Sequence, residues 1–460
     1  MRAPTKVGLV MDGIRSRIAA RVLCAGDRLP SVRASAAGFS VSPATVVEAY
    51  DRLVAEGVIE AVARSGFFVS RLAAAPQSPA ARAPHRAHAV DPFWISRQSL
   101  DVTQARDKPG CGWLPSDWMP QRALQKALRD ISREPDLLVQ YGTTAGDPAL
   151  RRQIAMRFAA EGLACDPDRI LLTQSGSQAL DLICRLLLQP GDTVLLDDPC
   201  YFNYQALVAA HAVRAVSVPF GATGPDPEQF EAVVTAERPR LYITNSHLHN
   251  PTGSSLSLVT AHRLPGIAAA HGMVIVEDDI FADFAPGTPT MAALDGLSGV
   301  IRIGSFSKTL SAALRCGYIA ARPEWIEALC DLQLATGFGG PGPLAAGAIS
   351  RVLAGGGYRR HMEDLRRKLA GAREDLTRRL APLGIVAQGR PGGGFTLWCR
   401  LPDGIDSAEL AQGCLEEGVV LAPGNAFSPA QNAAAFIRCN VAQTSDRALR
   451  VIEQALRELG

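Results

Sequence analysis

Apolar residues recur at Val10, Ile14, Ile18 and Val22, a spacing that lines one face and predicts a helix over about Val7–Leu23. GDRLPS (26–31) is a turn in which Pro30 stops what precedes it, and a second helix follows to about Gly38. VSPATVVEAYDRLVAEG (41–57) carries a full set of helix signals. Ser42 can cap, Pro43 suits the first position, and Gly57 can end the helix in a left-handed conformation. VIEAVARSGFFVS (58–70) reads as two short strands around a turn at Arg64–Gly66. These elements define a first domain over 1–71.

Residues 72–108 are rich in Ala, Pro and His with little periodicity, and are expected to form a linker. A flexible coil of about 37 residues averages roughly 35 Å end to end. From Pro109 onward, short apolar runs alternate with helical stretches. RILLTQ, DTVLLDD, RLYITN, GMVIVEDD and GVIRIGSF are expected as buried strands, with helices such as Gln178–Leu188 between them. That alternation implies a mostly parallel sheet covered on both faces. After about residue 345, long helices precede the strands GGGFTLWCRL and AFIRCNVA, which suggests a smaller α+β subdomain within 109–460.

Composition narrows the class. An apolar fraction of 47%, a charged fraction of 20% and a net charge of +2 are those of an ordinary globular chain. The front is mildly basic: residues 1–72 hold ten Lys/Arg against six Asp/Glu. The 10 cysteines show no paired spacing and no His/Cys cluster, so no metal is expected. Charges interrupt the N-terminal segment and no long apolar run follows, so a cytoplasmic protein without membrane spans is expected.

Only five lysines occur, and Lys308 stands in GSFSKTLSAALRCGY at a strand's C-terminal end, where parallel sheets place ligands. An amine there can form an imine with a carbonyl, which arginine cannot; a solvated surface lysine is the plainer reading. Ser175-Gly176-Ser177-Gln178 lies between a strand and a helix, where N–H groups and a hydroxyl can hold a phosphate or simply cap the turn. Arg315 can grip the same phosphate or form a salt bridge. The carboxylates of VIVEDD can pair with a protonated ring nitrogen, bind a metal or cap a helix.

LYITNSHLHNPTG, VIVEDD, GSFSKTLSAALRCGY and AFIRCN, in this order, resemble the fold-type I pyridoxal-phosphate aminotransferases over roughly 110–460. The resemblance implies a three-layer α/β fold and pyridoxal 5'-phosphate as cofactor. It implies Lys308 as the Schiff-base lysine, with Gly176, Ser177, Gln178, Ser305, Ser307 and Arg315 around the phosphate. Asp278, with Asp279 as the fallback, would pair with the pyridine nitrogen. Asn250 would donate to the phenolic oxygen, Tyr201 would stack on the ring, and Arg438 would grip a ligand carboxylate. Tyr141 resembles the tyrosine that reaches a phosphate across a dimer interface. One departure is Phe281, where the family usually carries a tyrosine that donates to the phenolic oxygen.

GDRLPSVRA, VSPATVVEAYDRLVAEGVIE and SGFFVS resemble a GntR-type winged helix-turn-helix. That resemblance puts Arg33, Ser42 and Thr45 toward DNA and Arg28, Ser31 and Gly66 near its backbone. Pro43, Ala44 and Val47 stand where arginines are common, so base readout is expected to be sparse. The whole chain resembles the MocR-type regulators: a homodimer that binds a double-stranded DNA operator and senses the cofactor or a carboxylate-bearing amino acid or amine. The alternative is a working aminotransferase with a DNA-binding appendage.

Overall fold

The computed structural model describes residues 5–19, 22–63, 65–70, 95, 97–98, 100, 107–288, 290–389 and 391–460. Most of the expected linker, and Arg64 of the expected turn, lie outside the described residues. The chain divides into two compact units between Ala87 and His88.

In the front unit, helices Lys6–Ala19, Val32–Phe39 and Pro43–Ala55 pack around Val10, Ile14, Val46, Tyr50 and Leu53. The first helix ends before its expected limit, so Val22 leaves the apolar face and is exposed. Ser42 caps the third helix by accepting the Thr45 N–H at 3.2 Å, and Gly57 turns left-handed after it. Strands β1 (Ile59–Val62) and β2 (Gly66–Val69) form the antiparallel wing.

The back unit holds a sheet of β3 (Ile170–Thr173), β4 (Thr193–Asp198), β5 (Arg214–Gly221), β6 (Gly224–Pro225), β7 (Leu241–Thr244), β8 (Val274–Asp278), β9 (Val300–Ser305) and β10 (Gly317–Ala320). Their order is β3-β10-β9-β8-β7-β4-β5-β6. Neighbouring pairs among β5, β4, β7, β8 and β9 are parallel, and β10 runs against both β3 and β9. Successive residues point to opposite faces. Leu172, Tyr242 and Val300 therefore join one core, while Leu171, Ile243 and Ile301 join the other. Both faces are covered, which is why these strands read as continuous apolar runs rather than alternating ones.

A smaller antiparallel sheet follows, β11 (Val386–Ala387), β12 (Thr396–Arg400), β13 (Ala422–Pro423) and β14 (Phe436–Asn440), in the order β11-β12-β14-β13. The described residues of the expected linker belong to this unit, Ile95 and Asp107 among them. Ile95 is buried beside Phe202, Trp398 and Phe427, and Asp107 bonds Ser445 at 2.6 Å and Arg447 at 2.7 Å. The expected linker therefore overruns the folded body. Sequence composition could not show it, because a single apolar anchor carries no period.

Candidate active site

The C-terminal ends of β3, β4, β7, β8 and β9 converge on one cavity of about 200 Å³, lined by Gly176, Ser177, Tyr201, Asn250, Asp278, Ser305, Ser307, Lys308, Arg315 and Arg438. Five separated segments meet because parallel strands deliver their following loops to one edge.

Lys308 lies three residues past the end of β9. Burial, followed by the nearby Arg438 cation, lowers its amine to about 8, with Asp278 opposing. Near neutral pH this makes the neutral amine far more populated than in an ordinary lysine. A neutral amine is the form that attacks a carbonyl.

The three carboxylates at the end of β8 divide their tasks. Glu277 accepts the Met291 and Ala292 N–H groups at 2.9 and 2.8 Å, capping helix Met291–Asp295. Asp279 is bonded to Arg302 and, at 2.7 Å, to His247, and lies outside the cavity. Burial opposes its charge, but Arg302 and His247 hold its carboxyl below the usual range. Asp278 lines the cavity. Burial pushes it up to about 6, against the hydroxyl of Tyr204 at 2.7 Å and the Ile280 N–H at 3.3 Å. Tyr204 escaped the sequence reading; its signal was its position three residues beyond Tyr201, on the helix that Tyr201 starts. Asn245 was missed too, and donates to the Asp278 carbonyl at 2.9 Å.

At the start of helix Gly176–Leu187, Ser175 accepts the Gln178 N–H at 3.0 Å, and the Gln178 side chain accepts the Gln174 N–H at 2.6 Å. Gln178 therefore does not line the cavity, contrary to expectation; the cap uses its N–H. The N–H groups of Gly176 and Ser177 have no acceptor among the described residues. Close approach here depends on Gly317, where a Cβ would lie 2.8 Å from the Ser175 carbonyl carbon and 3.0 Å from the Gly176 nitrogen. Ser305 donates to Cys316 O at 3.0 Å and contacts Ser307 at 2.9 Å. Arg315 is left-handed at φ 45° and has no carboxylate partner among the described residues.

Arg438, on β14, is 1% exposed and donates to Asn250 Oδ1 at 2.9 Å and Gly110 O at 2.6 Å. Burial lowers it to about 10, and its Nε has no partner. The Asn250 amide nitrogen stays available because its oxygen accepts from Arg438. Gly112 and Trp113, in a stretch to which the sequence pattern assigns no role, also line the cavity. Phe281 also lines it, packed edge-on to Phe395 at 5.7 Å. Tyr141 is elsewhere: it is 82% exposed, beside Phe338.

Residues 115–456 match the description "Aminotransferase class I and II". The chain belongs to the aminotransferase class I and II family. Residues 8–69 of this family member match the bacterial regulatory proteins of the gntR family. It is 29% identical to the uncharacterized HTH-type transcriptional regulator YdcR of Escherichia coli, over 98% of this chain and 97% of the relative. It is 30% identical to the probable rhizopine catabolism regulatory protein MocR of Rhizobium meliloti, over 78% and 74%. Among solved structures, LysN, the alpha-aminoadipate aminotransferase of Thermus thermophilus complexed with N-(5'-phosphopyridoxyl)-L-leucine, is 29% identical with a TM-score of 0.70, over 76% and 92%. A gntR-type helix-turn-helix fused to an aminotransferase-like body is the architecture of MocR-type regulators.

In the front unit of this aminotransferase family member, Arg28, Arg33 and Gly66 are exposed and Thr45 is half-buried. Gly66 has φ 104°, and a Cβ on it would lie 3.6 Å from the Arg28 guanidinium. Ser31 and Ser42 accept N–H groups from Ala34 and Thr45 as helix caps. Among the described residues no helix is long and apolar enough to cross a membrane, and no cluster is placed to hold a metal.

Proposed function

We propose that this protein is a transcriptional regulator whose aminotransferase-like unit binds pyridoxal phosphate through Lys308 and senses an amino acid or amine bearing a carboxylate. The observation that carries the reading is the donor set of one cavity within a chain that also has a winged helix. That set joins an amine lowered to about 8, a buried carboxylate, orphaned N–H groups at a helix start and an unpaired arginine. The amine fits an aldehyde, the carboxylate a basic ring nitrogen, and the N–H groups with the arginine a phosphate.

When bound, the cofactor supplies an aldehyde and an electron-accepting ring. Gly176, Ser177, Ser305 and Arg315 would hold its phosphate, with Ser307 supporting Ser305. Asp278, oriented by Tyr204, would keep a proton on the ring nitrogen. Asn250 would donate to the phenolic oxygen, and Tyr201 would cover the ring. Arg438 would orient the ligand carboxylate, and Lys308 would serve as the base for the ligand's α-proton.

Tyr141 and Phe338, with ring centroids 5.1 Å apart, are exposed by 82 and 71%, and Val139 and Leu138 close by in the chain by 82 and 50%; such exposed apolar surface suits a second copy. The homodimer would present two winged helices to an operator, with Arg28 and Arg33 on phosphates. A DNA operator as partner agrees with a cytoplasmic protein. An operator-binding assay tests the reading: binding should change on adding pyridoxal phosphate, and Lys308→Ala should abolish that change. Binding indifferent to both sinks it.

A second reading, turnover as an aminotransferase, is favoured by the completeness of the set and by Arg438. Mixing the loaded protein with amino acids and following its visible absorbance decides between them. Conversion supports turnover; no conversion with any amino acid supports the sensor alone.

A further inference from the structure

A second cavity, of about 610 Å³, lies on the back unit between helix Gly357–Leu380, the loop 391–394 and the segment 252–255. Arg366 and Arg373 line it, together with Thr252, Ser254, Thr288, Gly393 and Gly394; among the described residues no carboxylate does. Seven residues apart on one helix, the arginines share a face, about 10 Å apart along the axis.

Arg359, Arg367, Arg378 and Arg379 of the same helix each have a carboxylate partner, and Arg360, which has none among the described residues, is exposed to solvent rather than half-buried. Arg366 and Arg373 have none among the described residues. Both are half-buried, and their bonds run to carbonyls, Arg366 Nε to Met362 O at 3.1 Å and Arg373 Nη1 to Gly394 O at 2.7 Å. Burial works against the Arg373 charge, and the exposed Glu374 makes no ion pair with it. The N–H groups of Gly393 and Gly394 have no acceptor among the described residues, and Ser254 Oγ makes no hydrogen bond to them. Two guanidinium groups without a carboxylate partner, beside glycine N–H groups without an acceptor and the free Ser254 hydroxyl among the described residues, make a site with donors and no counter-charge; the Thr252 and Thr288 hydroxyls are already bonded, to His249 and Ala285.

We propose that this cavity binds a small phosphate-bearing anion, held between Arg366 and Arg373. The site is separate from the cofactor phosphate cradle at Gly176, Ser177 and Arg315. Its walls continue into that cavity: Gly394 is followed by Phe395 and Thr396, and Gly253 is three residues from Asn250, all lining residues of the first site. An anion here would brace both segments.

The test uses the full chain saturated with pyridoxal phosphate, titrated with inorganic phosphate and, in parallel, with glycerol 3-phosphate, against chloride at matched ionic strength. Calorimetry should give a saturable heat with one or both probes, and Tm should rise by about 3 °C at a hundredfold excess over Kd. The stronger probe says whether free phosphate or a phosphomonoester is the better ligand. Arg366→Gln and Arg373→Gln should each weaken binding about tenfold or more, and Arg315→Gln should leave it unchanged. Absence of saturable heat in the wild-type protein with both probes overturns the proposal. So does equal binding by the wild type and Arg366→Gln, a variant that loses only one bond within its own helix. Binding lost in Arg315→Gln but kept in the other two would assign the heat to the cofactor cradle and overturn it equally.

Discussion

Tyr204 donates its phenolic hydrogen to Asp278 Oδ2 at 2.7 Å, in a pocket where both side chains are buried. The bond opposes the burial that drives Asp278 up to about 6. It therefore keeps the carboxylate charged and fixed where a ring nitrogen would meet it.

Tyr204→Phe should raise the Asp278 pKa further, because burial would act with one donor fewer. Loss of a hydrogen bond to a charged group is worth about 1.5–3 kcal/mol, so pyridoxal phosphate affinity should fall about tenfold or more. The sign in pH follows: a raised carboxyl needs a higher pH to ionise, so affinity should decline with acidification from a higher pH in the variant. Visible titration between pH 5 and pH 8, about the range spanning the shift, measures both effects.

The neighbouring aspartates should separate by phenotype. Asp278→Asn should lower cofactor affinity and leave urea stability nearly unchanged. Asp279→Asn and Arg302→Ala should instead destabilise the cofactor-free fold, by about 3–5 kcal/mol for the arginine, because a buried ion pair loses one member. Equal stability losses at 278 and 279 would contradict the division of tasks.

His247 adds a pH term to that same network. Burial lowers its pKa, but the Asp279 carboxylate overrides this and lifts it to about 9. A base raised on folding binds its proton more tightly in the folded state. The stabilisation is thus complete below the unfolded value near 6.5 and is lost as pH rises through about 9. Urea unfolding should show this decline in the wild type, and His247→Gln should flatten it.

Covalent capture at Lys308 should speed up with pH and level off just above 8, where the amine becomes neutral, rather than near the ordinary lysine value. Stopped-flow absorbance against pH reads the midpoint directly. Lys308→Ala should retain fold and non-covalent phosphate contacts but take no label on borohydride reduction.

In the front unit, Arg33→Ala should weaken operator binding at low salt and reduce the salt slope by about one. Ser42→Ala should cost about 1 kcal/mol of stability through its cap at Thr45. Electrophoretic mobility shifts over a salt series, alongside thermal melts, distinguish the two.

The sequence by itself determined the element types, because period and caps are local. VSPATVVEAYDRLVAEG carried its start and its stop, and the buried strands announced themselves as short apolar runs. It also placed Lys308 at a strand end. The motif resemblance put Asp278 ahead of Asp279, but the sequence held no physical reason for that choice, since adjacent residues differ only in the sheet face they meet. Arg302, on the neighbouring strand β9, and His247, beyond β7, claim Asp279 and leave Asp278 to Tyr204. Contacts between residues separated by many positions in the chain have no period to read. For the same reason the Gly110–Arg438 bond, the anchoring of Ile95 and the unpaired face of Arg366 and Arg373 emerged only when the fold brought distant segments together.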